Sequence, residues 1–130
     1  MGGRKIMWLY LKTGFYSVSH ERTCKEDELL VGARCKKDID KLKKLLKDEY
    51  QFSGTVVESL RADYAFSMIV PREVFALFMA VTVLDLKYNN FKNIARGKDF
   101  QRYEAYTICW QAMYKWQKNL YMARKRVELK

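Results

Sequence analysis

The residue types in this sequence that could do chemistry are rings interleaved with cations. In Leu9–Ser17 (LYLKTGFYS), Tyr10, Phe15 and Tyr16 alternate with Lys12. Exposed rings in that setting stack on nucleobases while a cation meets phosphate. Arg34 and, far along the chain, Lys92, Arg96, Lys98 and Arg102 could neutralise further phosphates, with Lys115, Lys118, Arg124, Lys125 and Arg126 continuing the run. These nine positions, Tyr10, Lys12, Phe15, Tyr16, Arg34, Lys92, Arg96, Lys98 and Arg102, are the candidate nucleic-acid contacts. The competing assignment is ordinary: rings on a sheet under helices belong to a core, and helix cations face water.

Other chemistries find little in the residues. The single histidine, His20, lies in a charged stretch with no nucleophile elbow, and no Walker A loop, GxGxxG, HExxH or EF-hand pattern occurs. Glu58, Asp63 and Asp85 are the carboxylates from which a metal-dependent nuclease would have to be built, but their spacing does not force them onto one face. Asp63 and Asp85 also suit a turn and a helix break. Cys24, Cys35 and Cys109 form no CxxC and leave an odd count, which supports neither a zinc site nor a disulfide framework. The expectation is a non-catalytic protein with no cofactor and no metal.

The charge balance points to the partner class. Lys and Arg number 25 against 15 Asp and Glu, a formal +10, which draws polyanions through long-range attraction. The excess is uneven: +4 over residues 1–50, −1 over 51–90 and +7 over 91–130. A nucleic acid or an acidic protein surface fits that distribution. The longest uncharged run, Val74–Leu84, is about half of the ~20 residues a membrane span needs. Cysteine usage and the lack of a secretory signal suggest a reducing cytoplasm. With 130 residues, 49% of them hydrophobic and 15% aromatic, there is material for one core. The expected organisation is a flexible leader at 1–6, one domain at 7–123 and a fraying basic tail at 124–130, as a monomer or homodimer.

The elements that must position the candidates follow from periodicity. Ile6–Ser19, rich in aromatic and β-branched residues around Gly14, reads as one long bulged strand or as a tight hairpin. His20–Glu28 reads as a loop and Leu29–Arg34 as a short strand. Lys36–Tyr50 places Ile39, Leu42, Leu45 and Leu46 at helical spacing, with Asp40 and Lys44 as a supporting pair. Thr55–Leu60 and Asp63–Val70 read as a hairpin in which Tyr64, Phe66, Met68 and Val70 share one face. Pro71 suits the first position of a helix through Leu84 that is apolar nearly all round and therefore expected to be buried. Tyr88, Phe91 and Ile94 continue a helical period, and Asp99 suits the cap of a long last helix with Phe100, Tyr103, Thr107, Trp110, Tyr114 and Tyr121 in one stripe. The fold class is α+β: an antiparallel sheet of about four strands, a ferredoxin-like half with an N-terminal strand added, covered by two helices and followed by a long C-terminal helix.

Several short segments carry a resemblance. MWLYLKTGFYS from Met7, DYAF from Asp63, KYNNFK from Lys87 and WQAMY from Trp110 resemble a family of small uncharacterised bacterial and phage proteins that open with MWL and GF-Y-S and carry D-Y-x-N-F-K. Lys87 stands here where that family pattern has Asp. The resemblance implies no activity. The functional expectation is a small basic nucleic-acid-binding module favouring RNA or single strands. Its alternatives are an interaction factor or inhibitor docking on a host or defence complex, and a metal-dependent nuclease.

Overall fold

The structure is a computed structural model that describes residues 5–86 and 100–128. Contacts divide the chain into two compact units, Met1–Leu86 and Lys87–Lys130. In the first unit the chain forms β1 (Ile6–Tyr10), β2 (Phe15–Ser19), β3 (Glu28–Ala33), α1 (Lys36–Tyr50), β4 (Val56–Glu58), β5 (Phe66–Pro71) and α2 (Arg72–Leu84). The second contains α3 (Phe100–Glu128). The α+β class and the antiparallel sheet are as the sequence implies. The sheet has five strands, not four, in the order β1-β2-β3-β5-β4 with every pairing antiparallel.

The fifth strand comes from Gly14. Leu11 and Gly14 exchange backbone hydrogen bonds, N–H to carbonyl at 2.9 and 3.2 Å, and close a two-residue turn over Lys12 and Thr13. The Ile6–Ser19 stretch is therefore a hairpin. Its second strand, β2, takes the N-terminal strand's expected place beside β3, and β1 is left as the outer edge.

α1 is the helix its apolar spacing predicts, burying Ile39, Leu42 and Leu46 with Leu45 packed at the margin. Its charged face pairs one step away from expectation: Lys36 bonds Asp40 at 2.9 Å and Lys44 bonds Asp48 at 2.8 Å, so Asp40 is taken by the preceding turn. The helix ends at Gln51 in the left-handed conformation (φ 54°), with the N–H groups of Gln51 and Phe52 reaching the carbonyls of Lys47 and Leu46.

Two expectations for β5 and α2 are corrected. Pro71 closes β5 and caps α2 in an extended conformation (ψ 141°) instead of opening the helix, so α2 starts at Arg72. Nor is α2 buried all round. Phe75 and Phe78 enter the core, whereas Leu77, Val81, Val83 and Leu84 are exposed, because one side of the helix is enough to cover the sheet. The expected continuation through Tyr88, Phe91 and Ile94, and the Asp99 cap, lie outside the described residues. No helix among the described residues is long and apolar enough to cross a membrane.

Candidate nucleic-acid interface

The strand register sorts the sheet into two faces. Cross-strand partners share a face, and neighbours along a strand alternate. Leu9 pairs with Tyr16, Tyr16 with Ala33, Val18 with Val31 and Val31 with Met68; these residues meet α1 and α2 in one core. Trp8 pairs with Ser17, Ser17 with Gly32 and Gly32 with Ser67, and this second set looks away from the helices. Tyr10 and Phe15 are a partner pair on that same side, turned away from α1 and α2.

On the face turned away from α1 and α2 the rings form a continuous row. Tyr10 and Phe15 have centroids 4.7 Å apart and tilted by 41°, and Phe15 lies 6.4 Å from Tyr64. The row ends where the Arg34 guanidinium sits 4.5 Å above the Tyr64 ring while donating to the Asp63 carbonyl at 3.0 Å. Beside it runs a shallow trough of about 420 Å³, floored by Ser17, Gly32 and Ser67 and walled by Trp8, Tyr64 and Arg34. Small residues on the floor leave the flanking rings accessible. Trp8 is 62% exposed and Tyr10 45%.

Tyr64 reaches this row by departing from its expected place. β5 begins only at Phe66, so Phe66, Met68 and Val70 keep the core face while Tyr64 belongs to the loop before it. A Cβ on Gly32 would come within 3.0 Å of the Tyr64 Cβ. The glycine is what lets the tyrosine lie flat against β3.

The sequence-predicted contacts divide accordingly. Tyr10, Phe15 and Arg34 are brought together in the ring row, and Lys12 is exposed at the tip of the β1–β2 turn that carries it. Tyr16 is corrected: it is 0% exposed and its hydroxyl donates to the Asp38 carbonyl at 2.9 Å. Strand alternation makes the exclusion necessary, since two adjacent residues of β2 cannot both face outward. Arg102 lies on α3, donating to the Tyr106 hydroxyl at 3.0 Å. Lys92, Arg96 and Lys98 lie outside the described residues. Trp8 and Tyr64 went unselected from sequence; Trp8 stands two residues from Tyr10 and therefore on its face, a signal that alternation alone provides.

Comparison with family models, curated proteins and solved structures gives no match. Function must therefore be argued from the residues themselves.

Charge separates the two units. Residues 5–86 hold thirteen Lys and Arg against twelve Asp and Glu, whereas residues 87–130 hold eleven against three. Several cations of the first unit are also engaged: the hydrogen bonds that Lys36 and Lys44 donate to the carboxylates of Asp40 and Asp48 raise both lysine pKa values above the ordinary lysine value. On α3, Lys115, Lys118, Lys125 and Arg126 fall within about 100° of helical arc. Lys118 and Lys125 lie 5.5 and 5.7 Å from the rings of Tyr114 and Tyr121. Among the described residues no three His, Cys, Asp or Glu side chains are grouped to hold a metal ion. Glu58 is on β4, Asp63 is in the loop before β5, and Asp85 caps α2.

Proposed function

We propose that this protein binds single-stranded nucleic acid, with bases stacked on the face of the sheet turned away from α1 and α2. The observation that carries the reading is the row Tyr10, Phe15, Tyr64 ending in Arg34, with exposed Trp8 beside it. Every base has a π-face, so such a platform takes single strands with little regard to sequence and gains about 1–3 kcal/mol per stacked base. Lys12 and Arg34 flank the row as phosphate partners. The cationic arc of α3 offers most of the further phosphate partners, because the sheet unit itself is nearly neutral.

The deciding experiment is a titration of the full chain with labelled single-stranded RNA, single-stranded DNA and duplex. The reading expects single strands to be preferred and affinity to fall as salt rises. Absence of binding at low ionic strength, or affinity indifferent to salt, ends it. Capture of a stoichiometric acidic protein from nuclease-treated lysate, together with no oligonucleotide binding, replaces it with the protein-docking alternative.

A further inference from the structure

From Gln111 to Val127 every residue of α3 is exposed, although the helix has a definite apolar side. Trp110, Met113, Trp116, Leu120 and Tyr121 lie within one half of the helical circumference, with Arg124 among them, and Lys115, Lys118, Lys125 and Arg126 lie with Met122 on the other side. Trp110 and Tyr114 stack on each other at 5.3 Å and 5° within that half. Met113, Trp116, Gln117 and Leu120 line a single hollow. They stand at i, i+3, i+4 and i+7, which is the four-residue hole that receives one side-chain knob from a facing helix. The surface is thus shaped for another α-helix.

We infer that the occupant is α3 of a second copy of this chain, lying antiparallel. The hole is close to the middle of the exposed stretch, so a twofold axis through it sets Met113 opposite Leu120 of the second copy and Leu120 opposite its Met113, an isologous contact. Charge selects the direction. The segment 100–114 holds Arg102 and Glu104 and is neutral, whereas 115–128 holds five cations and Glu128. Parallel pairing would confront one +4 segment with its equal. Antiparallel pairing lays each on a neutral segment of the second copy. The area suffices as well. Trp110, Tyr114, Trp116 and Tyr121 are each about half exposed, so the rings contribute roughly 100 Å² apiece. With Met113, Leu120 and Val127 each copy covers about 600–700 Å², close to the ~800 Å² per partner of a standard interface. Both cationic arcs remain outward.

The full chain is tested by sedimentation equilibrium over two decades of concentration. The expected result is twice the chain mass, with Met113→Glu plus Leu120→Glu raising the dissociation constant roughly 100-fold or more and leaving the circular dichroism of the folded protein unchanged, since both positions are exposed. Direction is read by oxidation in a chain carrying Cys35→Ser and Cys109→Ala: Gln117→Cys gives a disulfide-linked pair and Val127→Cys gives none. A single-chain mass at every concentration, or cross-linking through Val127→Cys, overturns the inference.

Discussion

The carboxylate of Asp38, in the first turn of α1, accepts the backbone N–H of Phe15 at 3.0 Å from a position only 3% exposed. Twenty-three residues separate the two in sequence. The Asp38 carbonyl also takes the Tyr16 hydroxyl at 2.9 Å, and a Cβ on Gly14 would sit 2.6 Å from the Asp38 Cγ. One helix residue thus latches the hairpin that carries Tyr10, Lys12 and Phe15.

Removing the acceptor should leave the Phe15 N–H short of a partner where water is scarce. Asp38→Ala is expected to cost about 1–3 kcal/mol, and Tyr16→Phe, which drops the neutral hydrogen bond to the Asp38 carbonyl, about 0.5–1.5 kcal/mol. Asp38→Asn keeps a side-chain oxygen and should recover part of the loss. Urea denaturation of the three variants checks the order; equal stability for Asp38→Ala and the parent chain would show that the latch carries no weight.

Gln51 ends α1 at φ 54°, a conformation in which a side chain crowds the following carbonyl and glycine does not. Gln51→Gly is expected to stabilise the fold by about 0.5–1 kcal/mol, the relief of strain exceeding the added freedom of the unfolded chain. Thermal melts of the two proteins decide it. A lower melting temperature for the glycine variant contradicts the expectation.

α1 could be read from sequence because its four apolar positions repeat at 3.6 residues and its lysines all fall elsewhere. The N-terminal hairpin could not be separated from a bulged strand, since one glycine between two β-rich runs serves either. Nor did composition settle parity. Leu9 and Tyr10, like Phe15 and Tyr16, are apolar on both faces, and a shift of one residue exchanges core for surface. The first turn of α1 supplied the missing constraint: Asp38 needs a donor from β2 and takes that of Phe15, which fixes Tyr16 inward. A carboxylate at the start of a helix is so common that nothing local marks this one as buried. Tyr64 was lost for a related reason, because the exact residue where β5 begins determines whether alternation applies to it.

Gly32 offers a test of the trough that spares the core. A side chain there meets Tyr64, which sits in a loop and can yield, while a β-branched residue suits a strand interior. Gly32→Val should therefore change stability by no more than about 1 kcal/mol and lift Tyr64 away from Arg34 and Phe15. If the ring row is the binding platform, single-strand affinity falls by about tenfold in this variant, an amount equal to one weakened stack. Unchanged affinity measured by fluorescence anisotropy would remove Tyr64 from the platform.

Stacking and charge can be separated by their response to salt. Trp8 is mostly exposed and pairs across the sheet with Ser17, so Trp8→Ala should leave stability nearly intact while weakening single-strand binding by about 1–3 kcal/mol at every salt concentration. The slope of log affinity against log salt should not move, because no phosphate contact is lost. Lys118→Gln with Lys125→Gln should do the reverse, flattening that slope by about 0.7 for each phosphate contact removed and leaving the high-salt affinity close to that of the parent chain. The two responses are independent only if bases and phosphates are met by different residues, as a nearly neutral sheet and a cationic helix require. A Trp8→Ala variant that changes the slope, or a lysine pair that does not, would break that division of labour.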